Sequence, residues 1–241
     1  MPILQKIVIS NFRNIEFQEL EFSPKINCIW GNNGEGKTNL LDAVYYLSMT
    51  KSALGINDSF NCRHGQDGFS IAGTCQMPSA LTNRFSIVVK KGEEKKLRCD
   101  DKPYGRISEH IGKLPTVIIS PSDISLVSDS GEERRRFMNA VASQIDREYL
   151  SAIQQYNRLL AQRNRMLKDG VCDATLLEVI DIKMSSHADF IHRKRAELCE
   201  PLTEAVNEYY RRLSGGSESV SIRYRSDLDK APLEQLLKDS L

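Results

Sequence analysis

The stretch Gly31-Asn32-Asn33-Gly34-Glu35-Gly36-Lys37-Thr38 follows the pattern Gly-x-x-x-x-Gly-Lys-Thr. Glycines allow such a loop to turn its backbone N–H groups inward, where they can bind phosphate oxygens. In this pattern Lys37 supplies a cation for the β- and γ-phosphates, and the hydroxyl of Thr38 is a ligand for Mg²⁺. The stretch therefore predicts that residues 31–38 bind a nucleoside triphosphate, most simply ATP with Mg²⁺.

The segments on either side of this loop have the patterns of a strand and a helix. Residues 26–30 are mostly apolar and predict a short strand that ends at Trp30, directly before the glycine loop. After the loop, apolar residues recur at helical spacing and predict a helix that begins at Lys37, with an apolar face of Leu40, Leu41, Val44, Tyr45 and Leu47. The positive end of such a helix faces a bound anion. This context favours a ligand-binding loop over a glycine turn without a ligand.

The remainder of the chain divides into a part rich in strands and a part rich in helices. Strand patterns occupy residues 3–10, 17–22, 69–75, 84–90, 95–99 and 116–120. Helical patterns follow, with candidate caps at residues 128–130 and an apolar face of Phe137, Val141 and Ile145. A second helix is expected from the cap Asp146 to Gly170, and a third from Asp173, which Pro201 should break or kink. Residues 219–224 alternate again and predict a strand.

These patterns predict an α/β fold with a P-loop head lobe, in which a mixed β-sheet surrounds the loop helix, and a helical second lobe. The expected domains are an ATP-binding lobe with the glycine loop at 1–120, a helical lobe at 121–217, and a strand and helix at 218–241.

Composition and charge indicate a cytoplasmic protein without a membrane anchor. Apolar residues make up 40% of the chain, the net charge is +1, and no apolar run approaches the length of a membrane span. The N-terminus lacks the pattern of a secretory signal. Six cysteines, none in a Cys-x-x-Cys pair, are expected to be buried reduced thiols.

Several longer motifs resemble a known family. Ser10-Asn11-Phe12-Arg13-Asn14 and residues 27–47 are similar to the head domains of the SMC and RecF group of ABC-type ATPases. Residues 119–127, 130–137 and 156–167 resemble the RecF-type DNA-repair ATPases, in matching order over nearly the whole chain. The chain is therefore expected to be the N-terminal two-thirds of such a protein.

This resemblance implies an ABC-type head that, in the full-length protein, forms an ATP-dependent homodimer enclosing two nucleotides. It also implies binding to duplex or gapped DNA and to single-strand/double-strand junctions. The implied partner is RecR, with RecO and RecA in the same pathway, so that the full-length protein assists RecA loading. It further implies a weak DNA-dependent ATPase activity of the full-length protein.

Three elements that hydrolysis requires are missing from the sequence. Residues 120–123 correspond to the segment where ABC heads place a sensing glutamine, and Ser122 or Asp123 are poor substitutes for it. The sequence Leu213-Ser214-Gly215-Gly216-Ser217 is similar to the ABC signature, but it follows a helix instead of beginning one, so a helix end and turn are predicted. No apolar strand ending in paired acidic residues occurs up to Leu241. The chain is expected to be truncated, to contain no catalytic residue, to bind ATP weakly and to hydrolyse it negligibly.

A basic segment of the helical lobe is the candidate DNA surface. Residues 131–168 contain eight basic residues against four acidic ones. Gln154, Arg158 and Arg165 share one helical face and could bind phosphates. A solvated face or internal ion pairs would explain the same pattern. His187, His192 and Cys199 do not share a helical face, which argues against a metal site.

Three other functions are alternatives to a DNA-repair ATPase. Two of them use a similar glycine loop to bind nucleotide, and the third does not bind nucleotide. The head of an OLD-type ATPase–nuclease would continue into an acidic nuclease domain. A small-molecule kinase would need an arginine-bearing lid and an acceptor pocket, whereas strands and a long helical arm follow this loop. A structural module without nucleotide binding would not need Lys37 and Thr38.

Overall fold

The computed structural model describes residues 1–128, 131–170 and 174–240. The chain forms two compact units, Met1–Ile124 and Ser125–Leu241. The division falls four residues beyond the boundary expected at 120, and the segment 218–241 belongs to the second unit. The candidate caps Asp129 and Ser130, the candidate helix start Asp173, and Cys172 lie outside the described residues.

The first unit is built on a six-stranded sheet. Its strands are β1 (Ile3–Phe12), β2 (Ile15–Glu21), β3 (Gly68–Gln76), β4 (Thr82–Lys90), β5 (Lys96–Cys99) and β6 (Lys102–Pro103). They lie in the order β2-β1-β3-β4-β5-β6, and the described pairings are all antiparallel. Five of the strands predicted from the sequence, from residues 3–10 to residues 95–99, are thereby confirmed. Two helices interrupt them, α1 (Lys37–Met49) and the short α2 (Asp58–Asn61).

One face of the sheet packs against α1. The buried side chains alternate along each strand, as the two-residue period of a strand requires, and include Ile7, Ile9, Ile71, Phe85 and Ile87. From α1, Ala43, Tyr46 and Leu47 fill the same core. A Cβ atom at Gly73 would overlap the side chain of Leu47, so this close approach of helix and sheet requires glycine. The packing fixes α1, and with it the position of the loop that precedes the helix.

Two predicted strands of this unit are absent, although their residues are apolar. Residues 26–30 and 116–120 belong to no strand of the sheet in the described part of the chain. Several of their apolar side chains are exposed instead of buried: Trp30 is 90% exposed and Ile119 is 83% exposed. The strand predictions for these segments are wrong because β-structure requires a neighbouring strand, which apolar composition alone does not supply.

The second unit consists of helices: α3 (Ser125–Ser128), α4 (Gly131–Ile145), α5 (Arg147–Asp169), α6 (Ala174–Leu213) and α7 (Leu233–Lys238). Asp146 caps α5 as predicted, since its carboxylate accepts hydrogen bonds from the backbone N–H groups of Glu148 and Tyr149. Gly170 ends α5 in the left-handed conformation, also as predicted. The core lies between α4, α5 and α6 and contains Ala142, Tyr149, Ala152, Ile153 and Ile191.

The sequence predicted that Pro201 would break or kink this helix; α6 continues through Pro201, so it does not break there. Proline removes one helical hydrogen bond. Just beyond it, the hydroxyl of Thr203 donates to the carbonyl of Cys199 at 2.7 Å and supplies a side-chain bond in the same turn. Helix packing upstream of Pro201, around Ile191 and Leu198, stabilises α6 independently of that one bond.

The segment that follows α6 is not a strand either. Gly215 and Gly216 both have positive φ and turn the chain after Leu213, which confirms that the apparent signature is a helix end. The chain then runs back along α6: the side chain of Asn207 pairs with both the N–H and the carbonyl of Val220, and the N–H of Ile222 donates to Thr203. The prediction of a strand at 219–224 is wrong because side chains of a helix, and no second strand, hold this segment.

The five described cysteines are free thiols, and their burial varies. Cys75 and Cys199 are buried, whereas Cys28 is exposed, contrary to the expected burial. Among the described residues, no helix combines the length and the apolar character that crossing a bilayer would require.

Candidate nucleotide-binding site

The glycine loop adopts a conformation that only glycine favours at three positions. Gly31, Gly34 and Gly36 have φ values of 147°, 86° and 98°. At Gly36 a Cβ atom would lie 2.7 Å from Oδ1 of Asn14, and at Gly34 it would meet nothing within 4 Å. The loop therefore packs against Asn14 at Gly36 and leaves open space beside Gly34. We call the hollow formed by residues 31–38 the cradle; its open side can admit a polyphosphate.

The N-terminus of α1 presents unpaired donors to this cradle. Gly36 caps the helix in the left-handed conformation without any side-chain cap, and the first helical bond is from the N–H of Leu40 to the carbonyl of Gly36. Within the described chain, the N–H groups of Lys37, Thr38 and Asn39 have no hydrogen-bond acceptor. Together with the positive end of the helix dipole, they form an anion-binding site.

Lys37 folds back over the loop. Its Nζ donates to the carbonyl of Gly31 at 2.8 Å and to that of Asn32 at 2.6 Å, and it forms no ion pair with a carboxylate of the described chain. The ammonium group thus stays next to the cradle without a direct ion pair, although the ionised Glu35 of the same loop lies within electrostatic reach of it. Thr38, on the first turn of α1, is exposed, so its hydroxyl is accessible to a metal ion.

Glu35 holds the first half of the loop. Its carboxylate accepts hydrogen bonds from the backbone N–H of Asn32 at 2.9 Å and from the amide group of the same residue at 2.8 Å. These bonds from the side chain and backbone of Asn32 lower the pKa of Glu35, which keeps it ionised near neutral pH. The carboxylate therefore stabilises the bend between Gly31 and Gly34.

A chain of polar side chains links the loop to the turn between β1 and β2. Asn14 donates to the carbonyl of Gly34 at 3.1 Å and accepts from the amide of Asn39 at 2.7 Å. Asn39 in turn accepts from Arg13 at 2.9 Å. The loop is thus connected through two side-chain amides to a guanidinium group beneath it.

Arg13 and Asp42 form the buried base of this network. The two side chains are 9% and 0% exposed and meet at 2.6 Å. Arg13 also donates to Asn61 and Ser52. Sequence reasoning did not predict that Arg13 and Asn14 support the glycine loop. The sequence indicated only a turn at residues 11–14, and in the structure Asn11 and Arg13 of this turn have positive φ.

A cavity of ≈ 320 Å³ lies directly beside the loop and is large enough for a small ligand. Its walls combine loop residues with apolar side chains of the neighbouring segments: Ile15, Gln18, Leu20, Cys28, Ile29, Trp30, Glu35, Gly36, Lys37 and Leu40. The glycine loop therefore borders an apolar space as well as the polar cradle.

The candidate DNA residues belong to the second unit. Gln154, Arg158 and Arg165 are all exposed on α5. Arg165 lies 3.5 Å from Asp169, whereas Arg158 has no ion-pair partner within the described ranges. Arg163 does not contribute to this surface, because it is buried and paired with Asp181 of α6 at 2.7 Å. The basic surface is therefore narrower than the residue count of the segment indicates.

Most of the other residues considered from the sequence, in the segment 120–123 and in the possible metal site, form hydrogen bonds or an ion pair with other residues of the chain. Ser120 and Ser122 bond each other through their hydroxyls, and Asp123 accepts from the N–H of Ser120, so this segment is a closed turn. His192 pairs with Asp229 at 2.9 Å, and the thiol of Cys199 donates to the carbonyl of Arg195. Two of the three residues considered for a metal site, His192 and Cys199, are thus already engaged in other contacts.

Comparisons with known proteins agree with this geometry. The model of the AAA domain family matches residues 6–213. The DNA replication and repair protein RecF of Porphyromonas gingivalis is 43% identical over 239 residues, which cover 99% of this chain and 66% of that protein. The RecF protein of Bacteroides fragilis is 41% identical over 239 residues, covering 99% of this chain and 65% of that protein. The chain thus spans slightly less than two thirds of the length of these curated relatives.

Solved structures show the same fold. The recombination mediator protein RecF-ATP in the RecFOR pathway has a TM-score of 0.86 at 28% identity, covering 100% of this chain and 67% of that one. The Smc head domain with an extended coiled coil from Pyrococcus furiosus has a TM-score of 0.51 at 16% identity, covering 90% and 66%. The similarity to the Smc head domain concerns the fold alone. The similarity to RecF-ATP relates the chain to a structure whose name includes ATP.

Proposed function

The chain belongs to the AAA domain family and, within it, to the RecF-type DNA replication and repair proteins, and from this premise we propose that it binds ATP with Mg²⁺ and DNA. The observation that carries the proposal is the cradle of residues 31–38, with free N–H donors at the start of α1 and Lys37 beside them. The match over 99% of the chain favours this function over an OLD-type nuclease head.

Each loop residue has a distinct role in the proposed nucleotide site. The glycines and the N–H groups of residues 37–39 surround the phosphates, and Lys37 exchanges its two carbonyl acceptors for phosphate oxygens. Mg²⁺, with Thr38 among its ligands, would neutralise part of the phosphate charge. Asn14 and Glu35 hold the loop in shape before the nucleotide arrives.

For a protein with the full length of the curated relatives, we expect further properties that the family resemblance implies. These are an ATP-dependent homodimer, binding to gapped DNA, to single-strand/double-strand junctions or to duplex DNA, contact with RecR, and participation with RecO in RecA loading in the cytoplasm. Gln154, Arg158 and Arg165 are the proposed DNA contacts. The described chain alone is expected to bind nucleotide and to hydrolyse it negligibly.

Thermal unfolding with and without ATP and Mg²⁺ tests the nucleotide site. Binding to the folded state alone raises stability, by about 2.7 kcal/mol when the ligand is about 100-fold above its Kd. We expect the melting temperature to rise for the unmodified chain and the rise to disappear in Lys37→Ala.

Lys25→Ala is the matched control, because Lys25 is an exposed lysine that precedes the loop in the sequence and is not one of the residues 31–38. It should keep the full ATP-dependent rise. An unmodified chain that shows no rise with ATP and Mg²⁺ would contradict the proposed site.

A further inference from the structure

Arg195 of α6 is a buried cation whose partners are all neutral. Only 9% of its surface is exposed. Its guanidinium donates to the hydroxyls of Tyr149 and Tyr224 at 3.0 and 3.2 Å and to the amide oxygen of Asn139 at 2.8 Å. No carboxylate of the described chain forms an ion pair with it. Burying an ion is costly without an opposite charge, so this arginine lacks the partner that normally accompanies such burial.

The hydrogen bonds around Arg195 leave donors unused. A guanidinium has five N–H groups, and the three contacts use three of them. The oxygen of Asn139 accepts from both Arg195 and Tyr149, while its own NH₂ group has no acceptor among residues the structure describes. The hydroxyl of Tyr224 accepts a hydrogen bond from Arg195, and its own O–H donor has no acceptor among the described residues. The unused capacity is therefore a group of N–H and O–H donors, which suits an acceptor such as a carboxylate or phosphate.

These donors face a large cavity inside the second unit. Its volume is ≈ 790 Å³, within the range of ligand sites. Arg195, Asn139, Tyr156 and Tyr224 line it together with Arg135 and Arg136. Apolar residues of the lining include Ile153, Leu160, Ile191, Leu228, Leu233 and Leu236. The cavity thus combines basic and donor groups with hydrophobic side chains.

The charges at the rim do not neutralise Arg195. Asp227 pairs with Lys230 at 2.8 Å, and Glu132 lies 3.8 Å from Arg136. Arg135 is exposed and forms no ion pair with any described carboxylate. One buried and one exposed guanidinium therefore remain available on the same cavity.

We propose that this cavity binds an acidic peptide of a partner protein, with a carboxylate on Arg195 and Arg135 and an adjacent apolar side chain against Leu160 and Leu236. The apolar side chains of the lining favour this ligand over a nucleic-acid backbone, whose closely spaced phosphates would place further charges against them. A free inorganic anion would use the donors alone. The proposal concerns a site separate from the glycine loop and does not depend on nucleotide binding.

Fluorescence anisotropy with labelled hexapeptide mixtures tests the proposal on the full chain. One mixture alternates Asp or Glu with Leu, Ile or Phe; a second replaces the acids by Asn or Gln; a third keeps the acids and replaces the apolar residues by Ala. The first mixture should bind about tenfold more tightly than either of the others, because each of those lacks one of the two kinds of interaction.

Variants locate the binding to this cavity. Arg135→Ala should weaken binding of the first mixture about tenfold without affecting folding, because Arg135 is exposed. Arg195→Lys keeps the charge but loses the planar donor fork and should also weaken binding. Arg212→Ala, an exposed arginine of the same helix outside the cavity, should bind normally.

Three results would overturn the proposal. The first is equal binding of the acidic and the amide mixtures. The second is normal binding by both Arg135→Ala and Arg195→Lys. The third is displacement of the peptide by inorganic phosphate or by a DNA oligonucleotide at a concentration equal to that of the peptide, which would identify a simple oxyanion site or a nucleic-acid site.

Discussion

Asn14 is the residue through which the turn between β1 and β2 supports the glycine loop. It bonds the carbonyl of Gly34 on one side and Asn39 on the other, directly below Gly36. Arg13 and Asp42, buried beneath, fix the position of Asn39 through the same network. The shape of the loop therefore depends on residues that do not face the cradle.

Replacing Asn14 by Ala should weaken ATP binding. The change removes two hydrogen bonds that hold the loop, each contributing about 1 kcal/mol, so we expect a loss of affinity of about fivefold or more. Titration with a fluorescent ATP analogue measures it. Asn83→Ala is the control, because it removes a comparable side-chain hydrogen bond, to Asp100, outside the network of the glycine loop. This variant should bind ATP normally. Equal ATP affinities of the two variants would refute the role of Asn14.

His110 is a fully buried imidazole in the first unit. It lies 2.7 Å from the carbonyl of Leu47 and 3.4 Å from the hydroxyl of Tyr104. Burial lowers its pKa below the ordinary value of 6.5, so it is neutral in the folded protein. The unfolded chain binds a proton on this residue at a higher pH than the folded chain does.

Acid should therefore destabilise the chain through His110. The contribution of the neutral imidazole is fully present above the unfolded pKa and is lost as the pH falls through the lower folded pKa, so the free energy of unfolding should decrease as the pH falls below about 6.5. In His110→Gln this decrease should be smaller, as measured by urea unfolding. The exposed His64→Gln should keep the full decrease; an identical slope in both variants would exclude His110 as its source.

At the scale of elements, α5 shows how local chemistry sets a helix boundary. Asp146 caps it with two backbone bonds and also pairs with Lys194 of α6 at 3.0 Å. One side chain thus defines the start of one helix and attaches it to another. Gly170 ends the same helix.

Removing the cap should destabilise the second unit. Asp146→Ala loses the cap bonds and the ion pair and should lower the free energy of unfolding by about 1–2 kcal/mol. Asp146→Asn keeps a capping oxygen and loses only the charge, so its effect should be smaller. Chemical denaturation followed by circular dichroism compares the two, and equal losses would mean that the ion pair, and not the cap, is the important interaction.

Elements without a local signal depend on their neighbours. Residues 26–30 and 116–120 have the composition of strands but no strand beside them in the described chain. Helix α6 passes through Pro201 because its apolar face is packed against α5. In both cases the conformation depends on a neighbouring element, a pairing strand for residues 26–30 and 116–120 and helix α5 for α6, and not on the segment alone.

At the scale of the molecule, the chain separates two kinds of chemistry. The first unit holds the cradle of residues 31–38, which we propose binds nucleotide, and the second holds both the exposed arginines of α5 and the cavity around Arg195. The net charge of +1 cannot attract DNA by itself, so binding would depend on the local face of Gln154, Arg158 and Arg165.

The double variant Arg158→Ala/Arg165→Ala should therefore bind gapped and duplex DNA more weakly. Removing one arginine–phosphate interaction should reduce the slope of log affinity against log salt by about 0.9, so the two substitutions together should reduce it by about 1.8. Anisotropy titrations of labelled DNA at several salt concentrations measure the slope. Arg212→Ala is the matched control, and a double variant with an unchanged slope would remove this face as the DNA surface.

Local rules were sufficient for much of this protein. The glycine loop, the start of α1 at Lys37, the cap of α5 and the turn at Gly215 and Gly216 could all be predicted, because a few neighbouring residues determine each one. The alternating strands of the antiparallel sheet were also predictable, since their period is a property of the strand itself.

Tertiary structure alone decided the features that join distant parts of the chain. The bonds of Asn14 to Gly34, the burial of Arg13 against Asp42 and the neutral surroundings of Arg195 connect residues that lie twenty or more positions apart. Periodicity shows that a side chain faces inward, but it does not show which group it meets there. The charge balance of a buried site therefore follows from packing, and only the folded chain reveals it.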